Sequence, residues 1–334
     1  MSVVGGQCSI LIPVHGEAEL ALQCLQSIAA CEDAAGAQVI VIDDASPASD
    51  RERLDGFDGQ AEIIHRATRG GFAAAVLTGL KASSKERPFV AILNSDVEVE
   101  PGWLSHLVEA LDANAQLGAV APCVLDQATP PRIDSAGLAY TLCGWSFRRG
   151  HGRAMEAQWK EPARVFGVTG TAALLRRRAL DDIGRPFPED FDGYYEDVTL
   201  SFRLQERNWQ CMYVPTSVVH HRGSATYAKI PKRKSYCVSR NLEFVFWTHI
   251  PSRFMLGALP RHVFFLLAHA GQALLRGSLI AHCRGKLHAL RGIGRIRSAR
   301  RQRQSEASFL ADRRATTSLR SSVAWILGAK SQSE

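Results

Sequence analysis

Three acidic clusters carry side chains that can do chemistry. Val39-Ile40-Val41-Ile42 ends in Asp43-Asp44, and Val90-Ala91-Ile92-Leu93 ends in Asn94-Ser95-Asp96, with Glu98 two residues on. The third, Phe191-Asp192-Gly193-Tyr194-Tyr195-Glu196-Asp197, sets an acidic pair beside aromatic residues at the mouth of a predicted helix. Carboxylates that follow apolar strands sit at the sheet edge where α/β folds take ligands. Asp43 and Asp44 can accept hydrogen bonds from a base N–H or from ribose hydroxyls; the plainer alternative is a helix cap or Asx turn before Pro47. Asp96 and Glu98 suit a hard, oxygen-ligated Mg2+ or Mn2+ that also holds a diphosphate, against the alternative of a solvated acidic turn before Pro101. Asp197 can take a proton from an incoming hydroxyl, although acids also favour first helical turns through the helix dipole. His220-His221 follow a strand, and because adjacent residues of an extended segment alternate faces, one imidazole can point inward and complete a metal site. Arg69-Gly70-Gly71 opens a helix with glycines whose backbone N–H groups can approach a phosphate. The dinucleotide fingerprint Gly-x-Gly-x-x-Gly is absent after the first strand.

These residues need a scaffold, and the hydrophobic pattern supplies one. Apolar runs predict strands near 8–14, 38–43, 61–65, 88–94 and 117–124, alternating with helix-period segments near 17–30, 71–83 and 102–113. That rhythm is a βαβ series on a mostly parallel sheet, with the first four strands together. From Pro130 the sequence turns to shorter Gly- and Arg-rich segments such as Ser135–Leu138 and Arg148–Gly152, which read as loops and hairpins. A strand at Thr171–Leu175, a helix over 198–207 and a strand from Gln210 to Val214, ending at Pro215, follow. Beyond Lys232 the pattern is helical. Val263–Ala268 is strongly apolar, but Pro260, Arg261, His269 and Arg276 break the run below the ~20 residues a membrane span needs, so this region is expected to lie on a membrane.

Composition narrows the classes. With 46% hydrophobic and 22% charged residues the chain is an ordinary globular one, and its eight cysteines form no Cys-x-x-Cys pair, so they read as reduced core residues. No basic region precedes the first apolar run, and no export leader is expected. The net charge of +7 is uneven: residues 251–334 hold 15 Lys and Arg against 3 Asp and Glu. Such a tail points to an anionic surface. Aromatic stacking platforms after residue 283 are confined to Phe309 and Trp325, so a membrane is expected and nucleic acid is not.

Taken in order, Ser9–His15, Val41–Ser46, Gly70–Ala73, Leu93–Asp96, Gly170-Thr171, Glu196-Asp197 and His220 resemble the inverting glycosyltransferases of family 2, over about residues 8–245. Arg176-Arg177, Ile183-Gly184, Tyr213-Val214-Pro215 and Arg240-Asn241 look like the rhamnosyltransferase-type branch that builds bacterial surface polysaccharides. The resemblance implies a GT-A fold over 1–250, with a nucleotide half (1–125), an acceptor half (126–250) and a basic, membrane-associating helical region over 251–334. It implies nucleotide binding by Pro13, Val14, Glu17 and Asp44 with Asp43 close by, and donor contacts at Gly71, Asn94 and Ser95. Gly170 and Thr171 would border the donor sugar, Asp96 and His220 would hold a divalent metal, and Asp197 would be the general base. The implied donor is a nucleotide-diphospho-sugar, dTDP-L-rhamnose or alternatively a UDP-hexose. The implied acceptor is lipid-linked or a polysaccharide, at the cytosolic membrane face. A sugar-nucleotide-binding scaffold without catalysis is the rival reading. Family members often read Glu-Asp-x-Asp, whereas this chain has Glu196-Asp197-Val198-Thr199, and its lead-in is Asp192-Gly193-Tyr194-Tyr195, which bears on acceptor choice.

Overall fold

The computed structural model describes residues 4–188, 190–191, 193–223 and 231–302. Strand β1 (Cys8–Val14) is buried along its whole length, as a continuous apolar run requires when both faces of a sheet are covered. It pairs in parallel with β2 (Gln38–Asp43) on one side and β4 (Phe89–Leu93) on the other, and β2 pairs in parallel with β3 (Glu62–His65). Side chains alternate between the two faces. Ile10, Ile12, Val14 and Leu93 pack with helices α1 (Ala18–Ala29) and α4 (Trp103–Ala113), while Leu11, Ile40, Ile42 and Ile92 pack with α3 (Gly71–Ala82). The polar α2 (Ala48–Asp55) lies between β2 and β3; of its residues only Leu54 is buried, which is why hydrophobic periodicity does not announce it.

Beyond β4 the sheet becomes mixed. Its order is β3-β2-β1-β4-β11-β6-β12-β10, with β6 at Leu117–Asp126, β10 at Ala163–Val165, β11 at Ala172–Arg176 and β12 at Gln210–His221. Strand β11 runs antiparallel to both β4 and β6, and β12 runs parallel to β6. Short β5 (Val97–Val99) pairs with β12, β7 (Ile133–Ser135) pairs with β6, and β8 (Leu138–Tyr140) with β9 (Ser146–Arg148) forms a hairpin. The strand expected to stop at Pro215 continues to His221, because a register shift between Val214 and Val218 lets the sheet pass the proline.

Helix α5 (Arg177–Ile183) follows β11, and α6 (Glu196–Glu206) begins two residues before the predicted start, so Glu196 and Asp197 form its first turn. The described residues then end in α7 (Pro231–His249), α8 (Ser252–Leu275), α9 (Leu279–Arg291) and α10 (Ile293–Gln302). A third core cluster joins Leu138, Tyr140, Phe166 and Phe202 to Phe246, Phe265 and Ile296, so residues on both sides of position 250 share one hydrophobic interior. The expectation that Pro260 interrupts the apolar run is corrected: it lies inside the 24-residue α8, which is long and apolar enough to cross a membrane by length and composition alone. The polar end of the chain over 303–334, with Phe309 and Trp325, lies outside the described residues.

Candidate active site

The chain steps from β1 to β2 to β3 in one direction and then returns to place β4 on the other side of β1. The crevice beyond the strand ends at such a reversal is where open α/β sheets bind ligands. Pro13 and Val14 end β1 there, buried, with Val14 in register with Asp43. Asp43 is fully buried and its carboxylate is used within the protein, accepting hydrogen bonds from the Ser46 N–H at 2.9 Å and His65 Nδ1 at 2.8 Å and forming an ion pair with Arg51, whose Nε lies 2.9 Å away. Burial would raise its pKa, but the His65 and Ser46 hydrogen bonds and the Arg51 charge outweigh that and lower it. Asp44 pairs with Arg66 and accepts the N–H groups of Gly70 at 2.9 Å and Gly71 at 2.6 Å. The glycine N–H groups expected to stand bare for a phosphate are therefore held by Asp44. Gly71, at φ 81°, takes a conformation that other residues rarely adopt. Glu17 sits at the N-cap of α1 with φ 54°, beside Gly16, whose N–H reaches Ser46 Oγ at 2.8 Å.

Asp96 follows β4, and the histidine beside it is His221. His221 Nε2 lies 3.2 Å from Asp96 Oδ2, and its Nδ1 lies 3.1 Å from Asp134 Oδ2. His220, the expected ligand, is turned by strand alternation to the opposite face, where Nε2 meets Glu100 Oε1 at 2.6 Å. Burial would depress the His221 pKa, but the Asp134 hydrogen bond and the nearby Asp96 and Asp134 carboxylates raise it to about 9. Asp134 also takes Arg148 Nη1 at 2.5 Å and lies 3.4 Å from His151 Nδ1. Its carboxyl, which burial would raise, is held far below the usual carboxylate range by His151, His221 and Arg148. Among the described residues no group of three or more His, Cys, Asp or Glu is arranged to hold a metal. Two donors do fit one: Asp96 Oδ1 and His221 Nε2 are buried without a hydrogen-bond partner, and carboxylate plus imidazole is a donor set a divalent cation accepts. Further ligands would have to come from a bound diphosphate and water.

Asp197 completes the arrangement from the other side. Its Oδ2 accepts the Gly170 N–H at 3.3 Å and its Oδ1 accepts the Val198 N–H at 2.8 Å. Burial pushes its carboxyl up, with the two N–H groups and the Arg148 charge opposing. A Cβ at Gly170 would stand 2.9 Å from Phe72 Cζ, so a larger residue there would have to displace that ring. Thr171, next along, gives its carbonyl to the Asn94 N–H at 2.8 Å. Contacts and chain neighbours link these residues in series: Asp197 to Gly170-Thr171, Thr171 to Asn94-Ser95-Asp96, Asp96 to His221, His221 to Asp134, and Asp134 to Arg148.

The profile described as "Glycosyl transferase family 2" matches residues 9–184, more than half of the chain. The chain belongs to that family. It is 29% identical over 149 residues to the N-acetylglucosaminyl-diphospho-decaprenol L-rhamnosyltransferase of Mycobacterium tuberculosis, a match over 41% of this chain and 48% of that protein. The chain thus spans about half the length of that relative. Its GT-A fold is shared with GalNAc-T7 solved with UDP, GalNAc and Mn2+ (TM-score 0.53, 17% identity, 72% of this chain and 49% of that one). The mannosyltransferase PcManGT of Pyrobaculum calidifontis, in complex with GDP-Man and Mn2+, aligns over 97% of this chain and 88% of its own at a TM-score of 0.52 and 17% identity.

Within this family member, sequence reasoning missed Asp134, Arg148 and His151. They come together because β7 pairs with β6 and the backbone after β9 hydrogen-bonds back along β7, as between the Ala136 N–H and the Arg149 carbonyl and between the Gly152 N–H and the Ile133 carbonyl. The signal that could have found them is Arg148 and His151 three residues apart in a stretch otherwise read as loop; both side chains meet Asp134.

Proposed function

We propose that the chain is an inverting, metal-dependent glycosyltransferase that moves L-rhamnose from dTDP-L-rhamnose to a lipid-linked or polysaccharide acceptor at the cytosolic face of a membrane. The series Asp197, Gly170-Thr171, Asn94, Asp96, His221, Asp134 and Arg148 supports this reading, since it contains both a desolvated carboxylate and two buried, unpartnered atoms of the kinds that bind cations. In it the nucleotide lies along Pro13, Val14, Glu17, Asp43, Asp44, Gly71, Asn94 and Ser95, with the sugar beside Gly170 and Thr171. Asp197 accepts the acceptor's hydroxyl proton as that oxygen attacks the anomeric carbon from the side opposite the nucleoside diphosphate. The bond to the diphosphate breaks and the configuration inverts. A carboxylate whose pKa burial has raised is a stronger base than a solvated one. Asp96 and His221 would hold Mg2+ or Mn2+, which supplies positive charge against the departing diphosphate. Asp134 fixes the ring of His221, the role a carboxylate plays behind many metal-binding histidines.

Rhamnose and a lipid-linked acceptor are supported by what the mycobacterial relative is named for, and the metal by the Mn2+ in the two solved structures. Membrane association is supported by α8, where Leu256, Leu259, Val263, Leu267 and Leu274 stand exposed at helical spacing. Residues 251–302 hold ten Lys and Arg and no Asp or Glu, and each well-placed cation adds about 1 kcal/mol at an anionic leaflet. Thermal-shift screening of dTDP-L-rhamnose, UDP-glucose, UDP-GlcNAc and GDP-mannose, followed by mass analysis of a polyprenyl-diphospho-GlcNAc acceptor, tests the proposal. Stabilisation by dTDP-L-rhamnose and an acceptor one deoxyhexose heavier are expected. A UDP-sugar that alone turns over would replace the donor, and binding without turnover of any nucleotide sugar would leave a scaffold protein.

A further inference from the structure

The segment that delivers Asp197 to the site contains three successive residues with positive φ: Gly193 at 107°, Tyr194 at 69° and Tyr195 at 72°. Glycine adopts such angles freely and tyrosine does not, so the turn persists only because its surroundings over-determine it. Among those surroundings is one side chain. Asn241 of α7, fully buried, donates both amide hydrogens, to the Gly193 carbonyl at 3.0 Å and the Tyr194 carbonyl at 2.8 Å. Its Oδ1 accepts Arg240 Nε at 2.8 Å, so the amide can be oriented only one way. Arg240 in turn donates to the Asp190 carbonyl at 2.8 Å and lies over the rings of Phe191 and Tyr236. Arg295 of α10 closes the outer side, pairing with the Asp190 carboxylate through Nη2 at 2.6 Å.

We propose that Asn241, locked by Arg240, is a positioning residue for Asp197: its two amide hydrogens hold the left-handed turn that sets where α6 starts and so where the Asp197 carboxylate points. This rests on the reading of Asp197 as the base. The chemistry asks for an amide, because two buried carbonyls need two donors and the neighbouring Arg240 needs an acceptor. An aspartate of the same shape would keep the acceptor and lose both donors.

Asn241→Asp, assayed in the full chain with dTDP-L-rhamnose or whichever nucleotide sugar turns over in the screen above, should lower kcat roughly 10- to 100-fold, as displaced reacting groups do. The Kd for the matching nucleoside diphosphate should stay within about twofold, because the nucleotide end is untouched. The double variant Asp197→Asn/Asn241→Asp should turn over no more slowly than Asp197→Asn alone, since a residue that acts only through Asp197 adds nothing once the base is gone. Undiminished kcat in folded Asn241→Asp, or an additive loss in the double variant, overturns the inference. Should Asn241→Asp fail to fold, Arg240→Lys, which keeps the cation and gives up the bond to Asn241, takes its place with the same criteria. Near-normal turnover of Asp197→Asn would remove the base reading itself and this inference with it, a failure recognisable because it occurs in a variant whose turn is intact.

Discussion

Asp43 ends β2 and Asp96 follows β4, the two strands that flank β1, yet the two carboxylates live differently. Asp43 is enclosed and fully engaged, with Ser46, His65 and Arg51 around it. Asp96 Oδ1 and the facing His221 Nε2 are just as enclosed and have no hydrogen-bond partner. A buried polar atom left unpaired costs about 1–3 kcal/mol, a cost a fold sustains where a ligand later supplies the contact. The proposed nucleotide end is thus built in advance, and the β4–β12 end is the one that the proposed metal and donor would complete.

The largest effect belongs to the incomplete end. Asp197→Asn keeps the shape and removes the proton acceptor, so turnover should fall roughly 10²- to 10⁴-fold with the nucleoside diphosphate Kd nearly unchanged; normal turnover would erase the contrast. Asp43→Asn should act in the opposite manner, costing about 2–3 kcal/mol of stability by taking the anion from a buried network. Denaturant midpoints read this directly, and an unchanged midpoint would mean that Asp43 is not scaffold. His221→Ala should weaken Mn2+ binding about 10- to 100-fold, the range for disturbed metal shells, with activity abolished by chelator and restored by Mn2+ or Mg2+. Full activity in chelator would reduce the Asp96 site to an acidic turn.

The two ends also differed in how far they could be read beforehand. β1 and β2 have the predicted bounds because their residues are apolar runs buried on both faces, a signal that is wholly local. Asp43, Asp44, Asp96 and Asp197 stood out as candidates for a similar reason, since each stands where an apolar or aromatic run stops. Asp134, Arg148 and His151 did not, because three short strands bring them to His221 and no local pattern records that contact. The choice between His220 and His221 turned on one residue of register, fixed by a bulge at Val214–Val218 that the sequence shows only as a proline. The region of α8 was read as helical, but its unbroken length was not, because Pro260 reads as a helix breaker; Phe265, beyond the proline, packs into the third core cluster.

Acid should separate the halves more gently. Burial depresses His269 to about 3 and His282 to about 4, with the Lys286 charge helping in both. A histidine held neutral in the fold takes its proton first in the unfolded chain. Its contribution is therefore complete above the ordinary value near 6.5 and is lost as pH falls from there towards 3–4. Asp43, with its pKa lowered, keeps its contribution until pH falls below the ordinary carboxylate value. Melting temperature should therefore decline between pH 6.5 and 4, and His269→Leu should flatten that slope while Asp43→Asn leaves it in place. An unchanged slope in His269→Leu would show that the C-terminal helices do not set acid stability.

The smallest expected effect is the sharpest test of side. His220 and His221 are neighbours of one type on one strand, and they differ only in the face they present. His220 Nε2 meets Glu100 Oε1 at 2.6 Å, but the two side chains are 30% and 47% exposed, so water screens the pair. Exposed ion pairs contribute about 0–1 kcal/mol. His220→Ala should accordingly shift stability by less than about 1 kcal/mol, and should leave turnover and Mn2+ dependence within about twofold of the parent chain. Measured beside His221→Ala, it asks whether the metal-holding imidazole is the one facing Asp96. A loss of Mn2+ affinity in His220→Ala with His221→Ala spared would mean that the strand turns over when donor and metal bind, and the contrast between a finished and an unfinished end would then have to be redrawn around Glu100.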